Sequence, residues 1–251
     1  MIELAIAIFI IALLLGSVLV PLQTQVEQRQ ITETQKALED VKEALLGYAI
    51  ATGHLPCPDR TSGGSGGVND TANDGVEDFS AGLCIGAVSG PVGPPDRRIV
   101  AGNVPWVTLG LGAQDPWGNR LRYVVDLEFA SRSPAAGFTL TGSADIVMCA
   151  NALCTVRLTP VPSGSNPGDA AVAVILSLGK NGYGAINSAT GTQRPLPSSM
   201  DELLNVTNGA ASFVSHTITP AGAAVGEFDD VVSWMGKYTL YNRMVASGRL
   251  P

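Results

Sequence analysis

From Leu4 to Leu22 the chain runs through nineteen residues without a charge, interrupted only by Gly16, Ser17 and Pro21. Apolar side chains go all the way round at helical spacing, and at ~1.5 Å per residue the run spans the ~30 Å of a bilayer core. No Lys or Arg precedes it, and Gln23-Thr24-Gln25 offers no small-residue cleavage site, so a spanning helix is favoured over a cleaved secretory signal. Beyond it the pattern changes. Ile31, Thr34, Leu38, Val41, Leu45, Tyr48 and Thr52 recur at steps of three and four, opposite Glu33, Lys36, Glu39, Lys42 and Glu43, which is one buried stripe on an amphipathic helix. The two patterns join without a break and predict a single helix from near residue 2 to about residue 52, ~75 Å long. Gly16 lowers helix propensity and Pro21 removes the backbone bond to Ser17, so a kink or local unwinding is predicted there.

At Gly53 the pattern dissolves. Residues 53–103 carry Gly63-Gly64-Ser65-Gly66-Gly67, many Asp and Asn, and Pro91, Pro94 and Pro95, and they read as a long surface excursion. Apolar or alternating runs return at 121–126, 138–141, 145–149, 154–158 and 171–177, bounded by Gly, Pro and Asn, as in an antiparallel sheet on which the helical stripe would pack. Phe228, Val231, Val232, Met235, Tyr238, Tyr241, Met244 and Val245 again step by three and four. That spacing predicts a second helix ending before Gly248, with Asp229 and Asp230 in its first turn, where the helix dipole favours them. Catalytic paired carboxylates are disfavoured at this position, because neighbours on a helix diverge by ~100°.

Composition narrows the functions. Fifteen Lys plus Arg against twenty-two Asp plus Glu give a net charge of −7 in 251 residues, which argues against a nucleic-acid partner. Gly and Pro, 29 and 16 in number, place much of the head in turns. The four cysteines, Cys57, Cys84, Cys149 and Cys154, all follow the apolar segment; their even number in an exported region favours two disulfides. A hairpin with a four-residue loop would set Cys149 opposite Cys154, leaving Cys57 and Cys84 to close the Gly-rich excursion. His54 and His216 lie in no metal or nucleophile pattern, and the Gly-x-Ser-x-Gly match at 63–67 has loop on both sides, so no catalytic residue is assigned and the chain does not read as an enzyme. No metal site and no cofactor is assigned. Asp70, Asn73, Asp74, Glu77 and Asp78 could offer oxygens to calcium, but Ala72 breaks the EF-hand spacing and a solvated acidic turn is favoured.

Met1-Ile2-Glu3-Leu4-Ala5-Ile6, with the apolar run behind it and Pro21 near its end, resembles the N-terminus of mature type IV pilins and type II secretion pseudopilins. Leu55-Pro56-Cys57-Pro58-Asp59, Val104 to Gly110, and Asp115-Pro116-Trp117-Gly118-Asn119 are similar to segments of the pilin-like proteins of Gram-negative bacteria, the last to major pseudopilins in particular. The resemblance implies an α+β fold, with a long N-terminal helix packed on an antiparallel β-sheet head, a long loop insertion and a C-terminal helix. Residues 1–22 would form the membrane and filament-core half of the long helix, 23–52 its amphipathic half, and 53–251 the β-rich head. It implies an N-methylated first residue. The family's Glu is fifth in the mature chain and Glu3 is third here, which implies a leader and two mature residues before Met1.

The resemblance further makes Glu3 an assembly residue whose carboxylate pairs with the N-terminal amine of a neighbouring subunit, a pairing that fits the need of buried charges for partners. The implied function is that of a structural subunit: a helical homopolymer held first in the inner membrane, processed by a prepilin peptidase, and assembled by inner-membrane machinery into an extracellular pilus. A periplasmic pseudopilus of a type II secretion system and a minor tip pilin or adhesin are the alternatives.

Overall fold

Helix α1 runs from Ile2 to Thr52 as one helical element across Gly16 and Pro21. The computed structural model describes residues 2–62, 71–85, 87–89, 99–130, 142, 144–159, 170–207 and 211–250, without the side chains of 12–22 and 87–89. In the second half of α1, Thr34, Leu38, Val41, Leu45 and Ala49 are buried at steps of three and four, as one face of a helix requires. The buried Thr34 hydroxyl donates to the carbonyl of Gln30 at 2.8 Å and so needs no partner from the core. Near its end the stripe turns from Tyr48 and Thr52 toward Leu46 and Ala49, and Tyr48 instead donates its hydroxyl to Glu77 at 2.6 Å.

The remaining elements are, in chain order, β1 (Phe79–Ser80), β2 (Leu83–Cys84), β3 (Ala87–Ser89), β4 (Ile99–Asn103), α2 (Trp106–Leu109), β5 (Arg122–Asp126), α3 (Leu127–Ala130), β6 (Val147–Cys149), β7 (Ala171–Ser177), α4 (Met200–Thr207), β8 (Ser212–Val214), β9 (Val231–Gly236) and α5 (Lys237–Ala246). Five strands form one antiparallel sheet in the order β3-β4-β5-β7-β9, and β6 pairs with β8 in parallel. The fold is therefore α+β, with the helix and antiparallel sheet expected from the sequence.

The main sheet is covered on both faces. Leu38, Val41, Leu45 and Ala49 of α1 share one apolar cluster with Tyr123, Val125, Val172, Ile175 and Met235. On the far face Val124, Val174 and Leu176 join Met148 of β6, Phe213 of β8 and Val206 of α4. Double coverage explains why β7 reads as an unbroken apolar run, every residue of it buried, since a strand with two dry faces has no polar side. A bulge between Ala171 and Ala173 turns Val172 and Ala173 to the same cluster, as an extra residue in one strand must.

Two expectations fail on the C-terminal side. Residues 231–236 form strand β9 paired to β7, and only Lys237–Ala246 is helical. Val231, Val232 and Trp234 are β-branched or aromatic residues that suit a strand, and β7 would otherwise present an unpaired edge to the core. Cys154–Leu158 is not a strand either: the chain turns back along β6 through a single bridge, Cys149 to Arg157. Of the other predicted strands, 121–126 and 171–177 correspond to β5 and β7, 145–149 shortens to β6, and 138–141 lies outside the described residues.

The C-terminal segment secures α1. No basic residue occupies the last turn of α1, yet Arg249 donates through Nε to the Ile50 carbonyl at 2.7 Å and through Nη2 to that of Ala51. A guanidinium so placed satisfies orphan carbonyls and opposes the negative end of the helix dipole. Arg243 of α5 reaches Glu43 at 3.2 Å on an exposed surface.

The two halves of α1 should respond differently to truncation. Leu45→Ala, at a fully buried site, is expected to cost ~2–5 kcal/mol in denaturant unfolding. Ile8→Ala, at a site 60% exposed, should leave the midpoint within ~0.5 kcal/mol of the parent.

Candidate functional site

The first candidate site is the N-terminal half of α1. Ile2, Leu4, Ile6, Ile8, Phe9, Ile10 and Ile11 are each between 51% and 78% exposed. They surround the helix rather than line one face, because seven large apolar residues in a ten-residue stretch leave no polar side. Glu3 lies in the first turn, where the dipole of the helix favours a carboxylate. Among the described residues no helix is long and apolar enough to cross a membrane; the expected span, Leu4 to Leu22, includes 12–22, whose side chains lie outside the described residues. The side-chain consequences of Gly16 and Pro21 lie there too.

The cysteines form two disulfides, Cys57 to Cys84 and Cys149 to Cys154. The first ties the segment after α1 to β2 and closes a 27-residue separation, worth ~3 kcal/mol on the chain-entropy account. That segment lies beside β4: the backbones of Asp59 and Asn103 exchange hydrogen bonds at 3.0 and 2.7 Å. The approach requires Gly102, where a Cβ would stand 2.3 Å from the Asp59 carbonyl oxygen.

The acidic turn considered for calcium is engaged otherwise. Asp70 lies outside the described residues. Asp78 accepts from the Arg60 amide at 2.8 Å and pairs with its guanidinium at 3.4 Å. Glu77 accepts from Tyr48 and from the Cys57 amide, Asp74 from the Val76 amide, and Asn73 from Asn103. These side chains fasten the excursion to α1 and β4 and do not converge on a common point. At its centre Asp59 accepts from the amides of Asn73 and Gly75 at 3.0 and 3.1 Å, and burial pushes its carboxyl up to about 7 despite those donors. The Asp115-Pro-Trp-Gly-Asn turn is closed in the same manner: Asp115 accepts from the amides of Trp117 and Asn119 and from Ser177 at 2.7 Å.

Carboxylates do converge elsewhere. Glu202 in α4 and Asp229 and Asp230, which lead into β9, bring one oxygen each to within 4.8 Å of the others, the one such group among the described residues. Residues 229 and 230 precede β9 and lie in no helix, so the divergence that disfavoured this pair does not apply. Glu202 accepts from the Asp229 amide at 3.1 Å and from Asn181 at 3.1 Å. Asp229 accepts from the Asn181 amide at 2.8 Å, and its Oδ1 is buried without a hydrogen-bond partner. Asp230 accepts from Asn205 at 2.7 Å. Gly179, at φ +61°, passes so close that a Cβ there would lie 2.1 Å from Asp229 Oδ1, and no other residue suits both the angle and the gap.

Burial raises all three carboxyls, and repulsion from neighbouring acids, Glu227 among them, adds to it. Asp229 is pushed up to about 7, Asp230 well above the usual range, and Glu202 upward, desolvation being the largest cause for each. Such a group holds protons that it would exchange for a hard divalent cation, whose charge removes the repulsion. In sequence, Asp229-Asp230 was visible as a pair; Glu202, some 27 residues away in α4, was not. The histidines stay structural: His54 Nδ1 sits 3.0 Å from the Leu55 carbonyl, and His216 stacks on Phe228 with Nε2 3.1 Å from Asp201. Asp201 also accepts from the Ala152 amide, so it fastens the disulfide turn to α4.

No protein-family model, curated protein or solved structure matches the chain.

Because the folded protein keeps the Asp229 proton up to about 7 and the unfolded chain releases it in the ordinary carboxylate range, the folded state binds more protons between those limits. Stability should therefore fall as pH rises through that window, and Asp229→Asn should flatten part of the fall in pH-dependent thermal unfolding. At neutral pH calcium is expected to raise the melting temperature of the parent and not of Asp229→Asn. Equal melting in calcium and in chelator would show that no cation enters.

Proposed function

We propose that the protein is a structural subunit of a type IV pilus-like helical filament, assembled by packing of the N-terminal halves of α1. The observation that supports this reading is the division of α1 into an apolar half, whose large apolar side chains between residues 2 and 11 are exposed all round, and an amphipathic half held by the head. Large exposed apolar surface marks an interaction site, with lipid or with protein. A helix apolar on every side fits lipid before assembly and a bundle of identical helices after it. In this reading residues 1–22 hold the subunit in the inner membrane, and the head remains outside on an extension of the same rod.

Glu3 is the assembly residue in this proposal. A carboxylate at the head of an apolar helix is costly in a bundle unless paired, and the N-terminal amine of a neighbouring subunit is the partner that a helical homopolymer supplies at every step. A prepilin peptidase and inner-membrane assembly machinery are the implied partners. The role is structural rather than enzymatic, and the disulfides suit a head exported to an oxidising compartment.

A pseudopilin of a type II secretion system is the second reading, favoured by the Asp115 to Asn119 turn and by the carboxylate group around Asp229. A minor tip pilin remains in the same class and differs by its low copy number in purified filaments.

Glu3→Ala and Glu3→Leu are expected to give folded, membrane-held subunits and at least tenfold fewer filaments, counted by negative-stain electron microscopy of sheared material. Normal filament yield from either variant would remove Glu3 from assembly. Long extracellular filaments made mainly of this chain support the pilus; short periplasmic ones support the pseudopilus.

A further inference from the structure

Lys180, in the turn that follows β7, meets α1 close to the end of its apolar run. Its Nζ lies 3.4 Å from Glu27 Oε1, and both side chains are at the surface, 62% and 45% exposed. Glu27 stands five residues beyond Leu22, ~7.5 Å along a helix axis. The headgroup layer on each side of a bilayer is ~5–7 Å thick. With Leu4 to Leu22 in the hydrocarbon, the turn is therefore at the outer edge of the headgroups. An exposed ion pair of this kind is weak, so the ammonium is free to exchange Glu27 for a lipid phosphate.

The backbone of the turn is held firmly by the head. Asn181 donates its amide to Asp229 at 2.8 Å and its Nδ2 to Glu202 at 3.1 Å, and its Oδ1 accepts from the Tyr183 amide at 2.9 Å. The Gly182 amide donates to the Leu178 carbonyl at 3.0 Å, and that of Gly184 to the Pro195 carbonyl at 2.7 Å. The carboxylate group thus fixes the inner side of the turn, while Lys180 and Tyr183 keep their side chains at the surface, Tyr183 38% exposed. Leu196, which follows Pro195, is 57% exposed.

Lysine and tyrosine suit the boundary between lipid and water because each carries an apolar body and a polar end. A phosphate accepts from an ammonium and from a phenol hydroxyl alike. A leucine beside them gains by leaving water at the same depth.

We infer that the 180–183 turn, with Leu196 beside it, is a membrane-facing contact of the head: in the unassembled subunit Lys180 and Tyr183 seat in the phosphate layer of the bilayer that holds the apolar half of α1. The head is then oriented at two points, the helix and the turn, and gives up the second on entering a filament. This contact rests on residues 1–22 crossing the membrane, as proposed above.

The test uses the full chain in liposomes of phosphatidylethanolamine and phosphatidylglycerol, with p-benzoylphenylalanine as a photo-crosslinker at one surface position at a time. Tyr183→p-benzoylphenylalanine is expected to give phospholipid adducts, counted by mass spectrometry, well above those of Leu83→p-benzoylphenylalanine. Leu83 is the reference because it is 53% exposed beside the Cys57–Cys84 bridge, at the far end of α1. Adding Lys180→Gln should lower the adducts at 183 about fivefold, the effect of one lysine near an anionic surface. Equal yields at 183 and 83 would overturn the contact, and so would a yield at 183 that Lys180→Gln leaves unchanged. Flotation of the same liposomes separates this contact from the membrane reading beneath it. Chain that floats without adducts at 183 refutes the contact alone, and chain that does not float refutes both.

Discussion

Everything in the head is organised around the contact of α1 with the sheet, where Leu38, Val41, Leu45 and Ala49 meet Ile175 and Met235 in one apolar cluster. An isolated helix gains little from its own hydrogen bonds in water, so the amphipathic half of α1 is held by the area it buries. That burial fixes the direction of the rod relative to the head, and with it the place from which the apolar half projects. The Cys57–Cys84 bridge, the Tyr48–Glu77 bond and the Arg249 contacts with the end of α1 all act on this joint. They come from two distant parts of the chain, the segment from Cys57 to Cys84 and the C-terminal end, and meet at one end of the helix.

Buried acids serve as fasteners in the rest of the molecule. Asp59, Asp115, Glu202 and Asp230 each accept hydrogen bonds from segments remote in sequence, tying loops that have no regular structure of their own. Desolvation raises these carboxyls, so the same groups that define the loops make them responsive to protons. A Gly-rich head with few helices has little other means of fixing its loops, because each ordered residue costs ~1–2 kcal/mol of backbone entropy.

The amphipathic stripe was legible because helical spacing and charge placement agree over twenty residues: Thr34, Leu38, Val41 and Leu45 are buried where the period puts them. Strands β5 and β7 were legible as apolar runs between turn residues. The segment 228–236 was misread because its apolar residues satisfy a period of two as well as steps of three and four. Over six residues the two patterns cannot be separated, and pairing with β7 settled the matter. With the helix went the argument against Asp229 and Asp230, and the carboxylate group with Glu202 came into view only through the approach of α4.

The sequence by itself determined the long helix, its division into an apolar and an amphipathic half, the α+β class and the presence of paired cysteines, because each depends on the period, polarity or number of residues close in the chain. Tertiary structure alone decided that the last strand replaces a helix turn, that Arg249 caps α1, which acids converge at Asp229, and that Lys180 meets Glu27. Those outcomes depend on contacts between residues tens to hundreds of positions apart. Local propensity carries no record of such partners; the packing of the sheet against α1 does.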